Sequence, residues 1–200
     1  NLQLFTEGHL VYFERPNKTL HKVNEFAVIR SHHTLREDLD RLVLASAAVE
    51  AVAAGVEEEE VSPEIYALLA DGMDLLEGTA RPALLMQGFL LHLIRLLGYL
   101  PEFSVCVGCR KGVTSGEEAR LSPGQGGLVC SRCQVSILDT IPVSPPALGF
   151  LRGASASTLR VIERISIPPQ TLREVSAILQ DFLRHVLGRS LRSAEFLARL

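Results

Sequence analysis

The chain has no tryptophan, only three tyrosines, and two methionines in 200 residues. With so little aromatic material beside abundant Leu, Ala and Val, packed helices are favoured over a sheet-rich fold. Long apolar runs are also missing. The most apolar stretch, Pro82 to Leu100, is interrupted by Gln87, His92 and Arg95, so it reads as a buried helix and not as a membrane span of roughly 20 residues. The opening residues Asn1 to Gly8 lack the basic and apolar regions of a signal peptide, and the chain has no initiator Met. The expectation is a chain that begins inside a longer gene product and works in a reducing cytosol.

Catalytic signatures are absent too. There is no Gly-rich phosphate loop, no His-Glu-x-x-His and no Gly-x-Ser-x-Gly. His92 sits in an apolar helix and reads as a hydrogen-bonded core residue. His32-His33 has no third ligand nearby and reads as a solvated pair, while Glu57 to Glu60 reads as an exposed loop. The chain is expected not to be an enzyme.

What is present is 47% apolar composition, enough for a sizeable core, in 200 residues that suffice for one domain or for one domain and part of a second. Net charge is −3, but unevenly spread: residues 37–77 carry twelve acidic groups and one basic group. Two readings fit this. One is an acidic, solvated helix face. The other is a polarity in which basic ends face a polyanion and the acidic middle turns away.

Period-2 patterning is confined to the start. Leu10 to Phe13 and Thr19 to Val23 read as strands around the Pro16-Asn17-Lys18 turn, with Phe26 to Ile29 as a third. From Leu35 the period becomes 3.6: Leu35, Leu39, Leu42, Val43, Ala45, Ser46 and Val49 fall on one expected buried face, ended by Gly55. Ser62-Pro63 opens a second helix through about Leu76. A third runs from about Ala80 to Leu97 and stops at Gly98. Ile141-Pro142-Val143 is extended, Ser144-Pro145-Pro146 starts a short helix through about Leu151, and Thr158 to Ile165 is helical. Pro168-Pro169 announces a long helix to about Leu187, ended by Gly188, with a final turn in Ser193 to Leu200.

The sharpest signal is Cys106-x-x-Cys109, twenty residues, then Cys130-x-x-Cys133. That spacing reads as one four-cysteine zinc site. Each Cys-x-x-Cys turns two thiolates toward one metal, helped in the first pair by the permissive backbone of Gly108. Gly124, Gly126 and Gly127, with Pro123, let the intervening segment double back. Four thiolates fill a tetrahedral shell, so the zinc is expected to be structural. Arg110, Lys111 and Arg132 flank the thiolates, either offsetting their charge or contacting phosphate.

Several of these segments together resemble the bacterial RecO family of DNA repair and recombination mediators. They are Leu2-Gln3-Leu4-Phe5 (with Leu4 where the family usually has Pro), Leu35-Arg36-Glu37-Asp38-Leu39, and Leu96-Leu97-Gly98-Tyr99-Leu100-Pro101-Glu102-Phe103 running into Cys106. Leu121-Ser122-Pro123, Gly126-Gly127-Leu128-Val129-Cys130 and Gly188-Arg189-Ser190-Leu191-Arg192-Ser193 complete the series. The resemblance implies a mainly α fold: a helical domain over residues 35–200, with a zinc finger inserted at about 104–136. Residues 1–34 would be the last strands of an oligonucleotide-binding (OB) fold β-barrel.

It further implies binding of single- and double-stranded DNA, annealing of complementary strands, and help in loading RecA onto DNA coated with single-strand-binding protein (SSB), together with RecR. The expected location is the bacterial cytoplasm, at the nucleoid. Candidate phosphate contacts are Arg15, Lys18, Lys22 and Arg30, with Arg110, Lys111 and Arg132 on the finger. Tyr12 or Phe13 could stack on bases, although alternation should turn one of the two rings inward. For the acidic, apolar-tipped tail of SSB, the candidates are Arg184, Leu187, Arg189, Leu191, Arg192 and Phe196. The rival reading is a zinc-stabilised helical adaptor that binds proteins only.

Overall fold

The structure, a computed structural model, describes residues 2–14, 20–57, 61–114, 116–117, 119–137 and 139–193. Arg15, Lys18 and Phe196, the Pro16-Asn17-Lys18 turn, Glu58 to Glu60 and most of the expected last turn lie outside the described residues. The molecule is mainly helical, with two small antiparallel sheets.

Strands β1 (Glu7–Phe13) and β2 (Lys22–Arg30) form a hairpin with Glu7 opposite Arg30 and Phe13 opposite Lys22. The expected second and third strands are thus one, because Asn24 and Glu25 continue the extended backbone between them. Tyr12 and Phe13 are 51% and 59% exposed, so neither ring is turned inward. Alternation still puts the two rings on opposite faces, but neither face is covered at this end of the hairpin.

The first long helix is divided. A single turn, α1 (Thr34–Glu37), ends where Asp38 adopts an extended conformation and caps α2 (Leu39–Gly55) by accepting from the Arg41 N–H. That break resets the helical phase. Leu39 and Val49, expected inside, are 73% and 40% exposed, while Leu44, Ala45, Ala47, Ala48 and Ala51 are buried. Four alanines on the inner face let α2 pack close to its neighbour.

Helix α3 (Pro63–Gly78) begins as expected, with the Ser62 hydroxyl accepting from the Ile65 N–H. Helix α4 (Pro82–Leu96) starts at Pro82 and is buried without interruption from Leu84 to Ile94. It is the hub, because α2 and α3 pack on it. Later helices α5 (Pro145–Ser155), α6 (Leu159–Ile162) and α7 (Pro169–Leu187) pack on it as well. A helix apolar on every face has no solvent side to show. Of its polar members, His92 Nε2 lies 3.2 Å from the Ala154 carbonyl, with burial pushing its pKa down. The Gln87 amide donates to the Ala83 carbonyl at 3.3 Å and leaves its Oε1 buried without a partner among the described residues. At Gly88 a Cβ would stand 2.9 Å from the Ile162 side chain, so the glycine is what seats α6.

Helix α4 ends as expected at Gly98, whose φ is +84°. The Tyr99 N–H reaches back to the Ile94 carbonyl and the Gly98 N–H to the Arg95 carbonyl, a Schellman closure. The second sheet follows: β3 (Ala119–Ser122) lies between β4 (Gly127–Cys130) and β5 (Ile141–Val143). Pro142 falls on an outer strand, where its missing N–H is tolerated. Among the described residues no helix is long and apolar enough to cross a membrane.

The hairpin is fastened to α3 by charge. Arg30 lies 2.5 Å from Asp74 and 3.6 Å from Glu7. His32, buried and at φ +43°, lies 3.1 Å from Glu77, which also accepts from the Thr34 hydroxyl. The His pair is therefore split in role, with His32 a buried anchor and His33 exposed.

Candidate metal centre

The four cysteines converge. Their sulfurs all lie within 4.8 Å of one another, and Cys109 Sγ is 3.8 Å from Cys130 Sγ. Thiolates bound at about 2.3 Å in a tetrahedron sit about 3.8 Å apart, so the residues present fit a four-sulfur metal shell and can hold a metal ion.

Each half is built by backbone bonds. In the first, the Arg110 N–H donates to the Cys106 carbonyl at 2.8 Å, and the Cys106 N–H to the Lys111 carbonyl at 2.8 Å. The turn needs a left-handed residue, and Arg110 supplies it at φ +60°. Gly108 serves differently from the sequence expectation. It is not left-handed, but a Cβ there would lie 3.2 Å from Cys133 Sγ. The glycine makes room for the second pair. In that pair, the N–H groups of Cys133 and Gln134 both donate to the Cys130 carbonyl.

The halves are laced together through β4. The Glu102 N–H donates to Gly126, the Leu128 N–H to Glu102, and the Val107 N–H to Leu128, all at 2.8–2.9 Å. Gly127 permits this approach, since a Cβ would meet Val107 at 2.6 Å. The expected doubling back through Pro123 to Gly127 is therefore a turn with Gly126 at φ +66°.

Electrostatics favour thiolate at the innermost sulfur. Burial of Cys106 opposes ionisation, but N–H groups of Cys130, Cys109 and Gly108 outweigh it and bring the pKa down to about 6. The Cys130 N–H contact is 3.4 Å. With no metal among them, the neighbouring thiols of Cys109, Cys130 and Cys106 push Cys133 up to about 12. Hydrogen bonding to the Cys133 backbone lowers Cys130. A cation is the natural means of ionising all four.

One residue missed in the sequence holds the finger to the body. Arg152 of α5 donates to the Phe103 carbonyl at 2.7 Å and to the Val113 carbonyl at 2.6 Å. Its partners are carbonyls, which no sequence motif marks.

Of the other candidates, Arg110, Lys111 and Arg132 are exposed around the cysteine cluster, and Lys22 is exposed at the start of β2. Arg30 is occupied by its two carboxylates. Arg184 is exposed and 2.5 Å from Asp181. Arg184 and the buried Leu191 share a hollow of about 80 Å³ that also includes Asp181. Leu187 is half-buried, and Arg189 and Arg192 are exposed.

A helical body carrying a four-cysteine, metal-competent finger is thus the class of protein defined by fold and site. A family model described as "Recombination protein O C terminal" matches residues 36–195. The DNA repair protein RecO of Roseiflexus sp. (strain RS-1) is 31% identical over 197 residues, covering 98% of this chain and 69% of the relative. RecO of Anaeromyxobacter sp. (strain Fw109-5) is 31% identical over 192 residues, covering 92% and 72%. RecO of Syntrophus aciditrophicus (strain SB) is 27% identical over 198 residues, covering 98% and 76%. The chain belongs to the RecO family of DNA repair proteins.

Proposed function

We propose that the protein is a non-enzymatic recombination mediator that binds DNA, anneals complementary strands and assists loading of RecA onto SSB-coated single strands with RecR. Its metal is one structural zinc held by Cys106, Cys109, Cys130 and Cys133, and it acts in the bacterial cytoplasm at the nucleoid. The observation that carries this reading is the family match across the helical body and finger, in a chain whose finger exposes Arg110, Lys111 and Arg132 together. Cations grouped on a folded module screen phosphates, and annealing needs little more than two screened strands held at high local concentration. Four thiolates leave zinc no open position for substrate or water, which supports a structural role.

The second reading, a protein-binding adaptor without its own DNA contacts, draws on Arg30. A cation paired with Asp74 and Glu7 is not free for phosphate. Fluorescence anisotropy of a labelled 30-mer at two salt concentrations, beside zinc quantification, separates the readings. The mediator reading expects one zinc per chain and affinity that falls with salt. Stoichiometric zinc without DNA binding at low salt would leave only the adaptor.

A further inference from the structure

Beside the finger, the end of α4, the β3–β4 turn and the last turns of α7 enclose a groove of about 420 Å³. Gly98, Gly124 and Gly126 expose backbone along it, Phe182 and Val186 add apolar lining, and Tyr99 and His185 border it. Tyr99 is 55% exposed, and its hydroxyl has no hydrogen-bond partner among the described residues. Its backbone, by contrast, is held on both sides. The Schellman closure fixes residues 98 and 99, Pro101 stiffens the chain, and Glu102 is bonded to Gly126 and Leu128. A rigid ledge presenting a bare aromatic ring is what a stacking site requires.

Charge narrows the ligand. The hollow beside Arg184 includes Asp181, and those beneath the hairpin and beside Arg81 include Glu7 and Asp40. Among the described residues this groove has no carboxylate, and its one titratable cation is His185. Two helix C-termini, of α4 and α7, meet here, and their partial negative charge disfavours a phosphate in the groove itself. Carbonyls and a ring instead suit a planar group carrying N–H donors. A nucleobase has both properties, and its phosphates would stay outside the groove.

We infer that this groove takes an unstacked base of single-stranded DNA against Tyr99, an inference that rests on the DNA-binding reading above. It makes Tyr99 and His185 base contacts, separate from the finger's cations. Because the turn at 123–126 leads through β4 to Cys130, the metal centre also holds the groove in shape.

The test measures affinity of the protein and its Tyr99→Leu and Tyr99→Phe variants for a 20-mer of dT, the same 20-mer made abasic, and a 20-bp duplex. Tyr99 is exposed, so unchanged melting temperatures are expected for both variants. Removing one stacking partner predicts about tenfold weaker binding of dT by Tyr99→Leu. Retention by Tyr99→Phe and no change on abasic strand or duplex complete the expected pattern. Equal affinity of Tyr99→Leu and parent for dT, or an equal loss on the abasic strand, would overturn the groove and leave the mediator reading standing. A parent protein that binds none of the three would overturn both.

Discussion

Cys106 is the residue on which the finger turns, because it is fully buried and its sulfur receives backbone N–H groups from both halves. Cys106→Ser should reduce zinc below one per chain and unfold the finger while circular dichroism of the helical body changes little. Chelation should do the same, since apparent zinc affinity in such modules is folding free energy of about 10 kcal/mol or more. The sign of the pH dependence follows from the thiols. Metal requires all four deprotonated, so acid competes with it. Zinc affinity should fall throughout the descent from pH 7.5, because Cys133 must lose a proton to bind, and more steeply below about 6, where the Cys106 thiolate is lost as well. A competition titration with a chromophoric chelator at pH 5.5, 6.5 and 7.5 reads this directly. Arg152 acts at the same scale but on position. Arg152→Met removes two charge-assisted bonds to carbonyls, and a loss of about 1–3 kcal/mol is expected. Zinc should stay bound while hydrogen exchange speeds up at residues 103–113.

Between elements, distance decides. Gly88→Ala would favour α4 by about 1 kcal/mol in helix propensity, but its methyl would stand 2.9 Å from Ile162. Overpacking of about 1–3 kcal/mol outweighs the gain. Urea unfolding should show a net loss, only partly recovered in the double variant Gly88→Ala, Ile162→Val, which removes Cδ1 but keeps the Cγ2 methyl 3.0 Å away. The segment after α7 is held to α2 by one carboxylate. Glu50 accepts from the Arg192 N–H at 2.6 Å, and from the Ser193 N–H and hydroxyl. Burial alone would raise its pKa, yet these donors win and lower it below its ordinary 4.5. A lowered carboxylate contributes stability that is present above the unfolded pKa and lost as pH falls through the folded one. Exchange protection at Arg192 and Ser193 should therefore begin to weaken below about pH 4.5 and be lost only as pH falls through the lower folded-state value. In Glu50→Gln it should already be weak at pH 7 and insensitive to acid.

Over the whole molecule, charge is divided. Residues 37–77 hold the acids on α2, α3 and their flanks, and the finger and the segment around α7 hold exposed cations. A DNA strand should meet the second and avoid the first. Replacing Arg110, Lys111 and Arg132 together by Ala should weaken single-strand binding about equally for all sequences. The slope of log affinity against log salt should shrink by about 2, at roughly 0.7 for each phosphate no longer neutralised. An unchanged slope would place the phosphate contacts elsewhere. Arg110→Gly is informative alone, because it removes the charge and relieves the left-handed residue at once. Zinc retention with weaker DNA binding would assign the arginine to the ligand and not to the turn.

The sequence by itself determined what depends on a few adjacent residues. Cysteine spacing, Ser-Pro helix starts at 62–63 and 144–145, and glycine stops at 98 and 188 act within one turn of backbone, so they could be read directly. The helix around α4 was legible because an uninterrupted apolar segment has only one stable place to go. Tertiary structure decided whatever needed a distant partner. Asp38 reset the phase of α2 and exposed Leu39, Arg30 found Asp74, Gly108 made room for Cys133, and Arg152 reached across to two carbonyls of the finger. None of these leaves a periodic or spaced mark, because each is set by which surfaces meet and not by the order of neighbours along the chain.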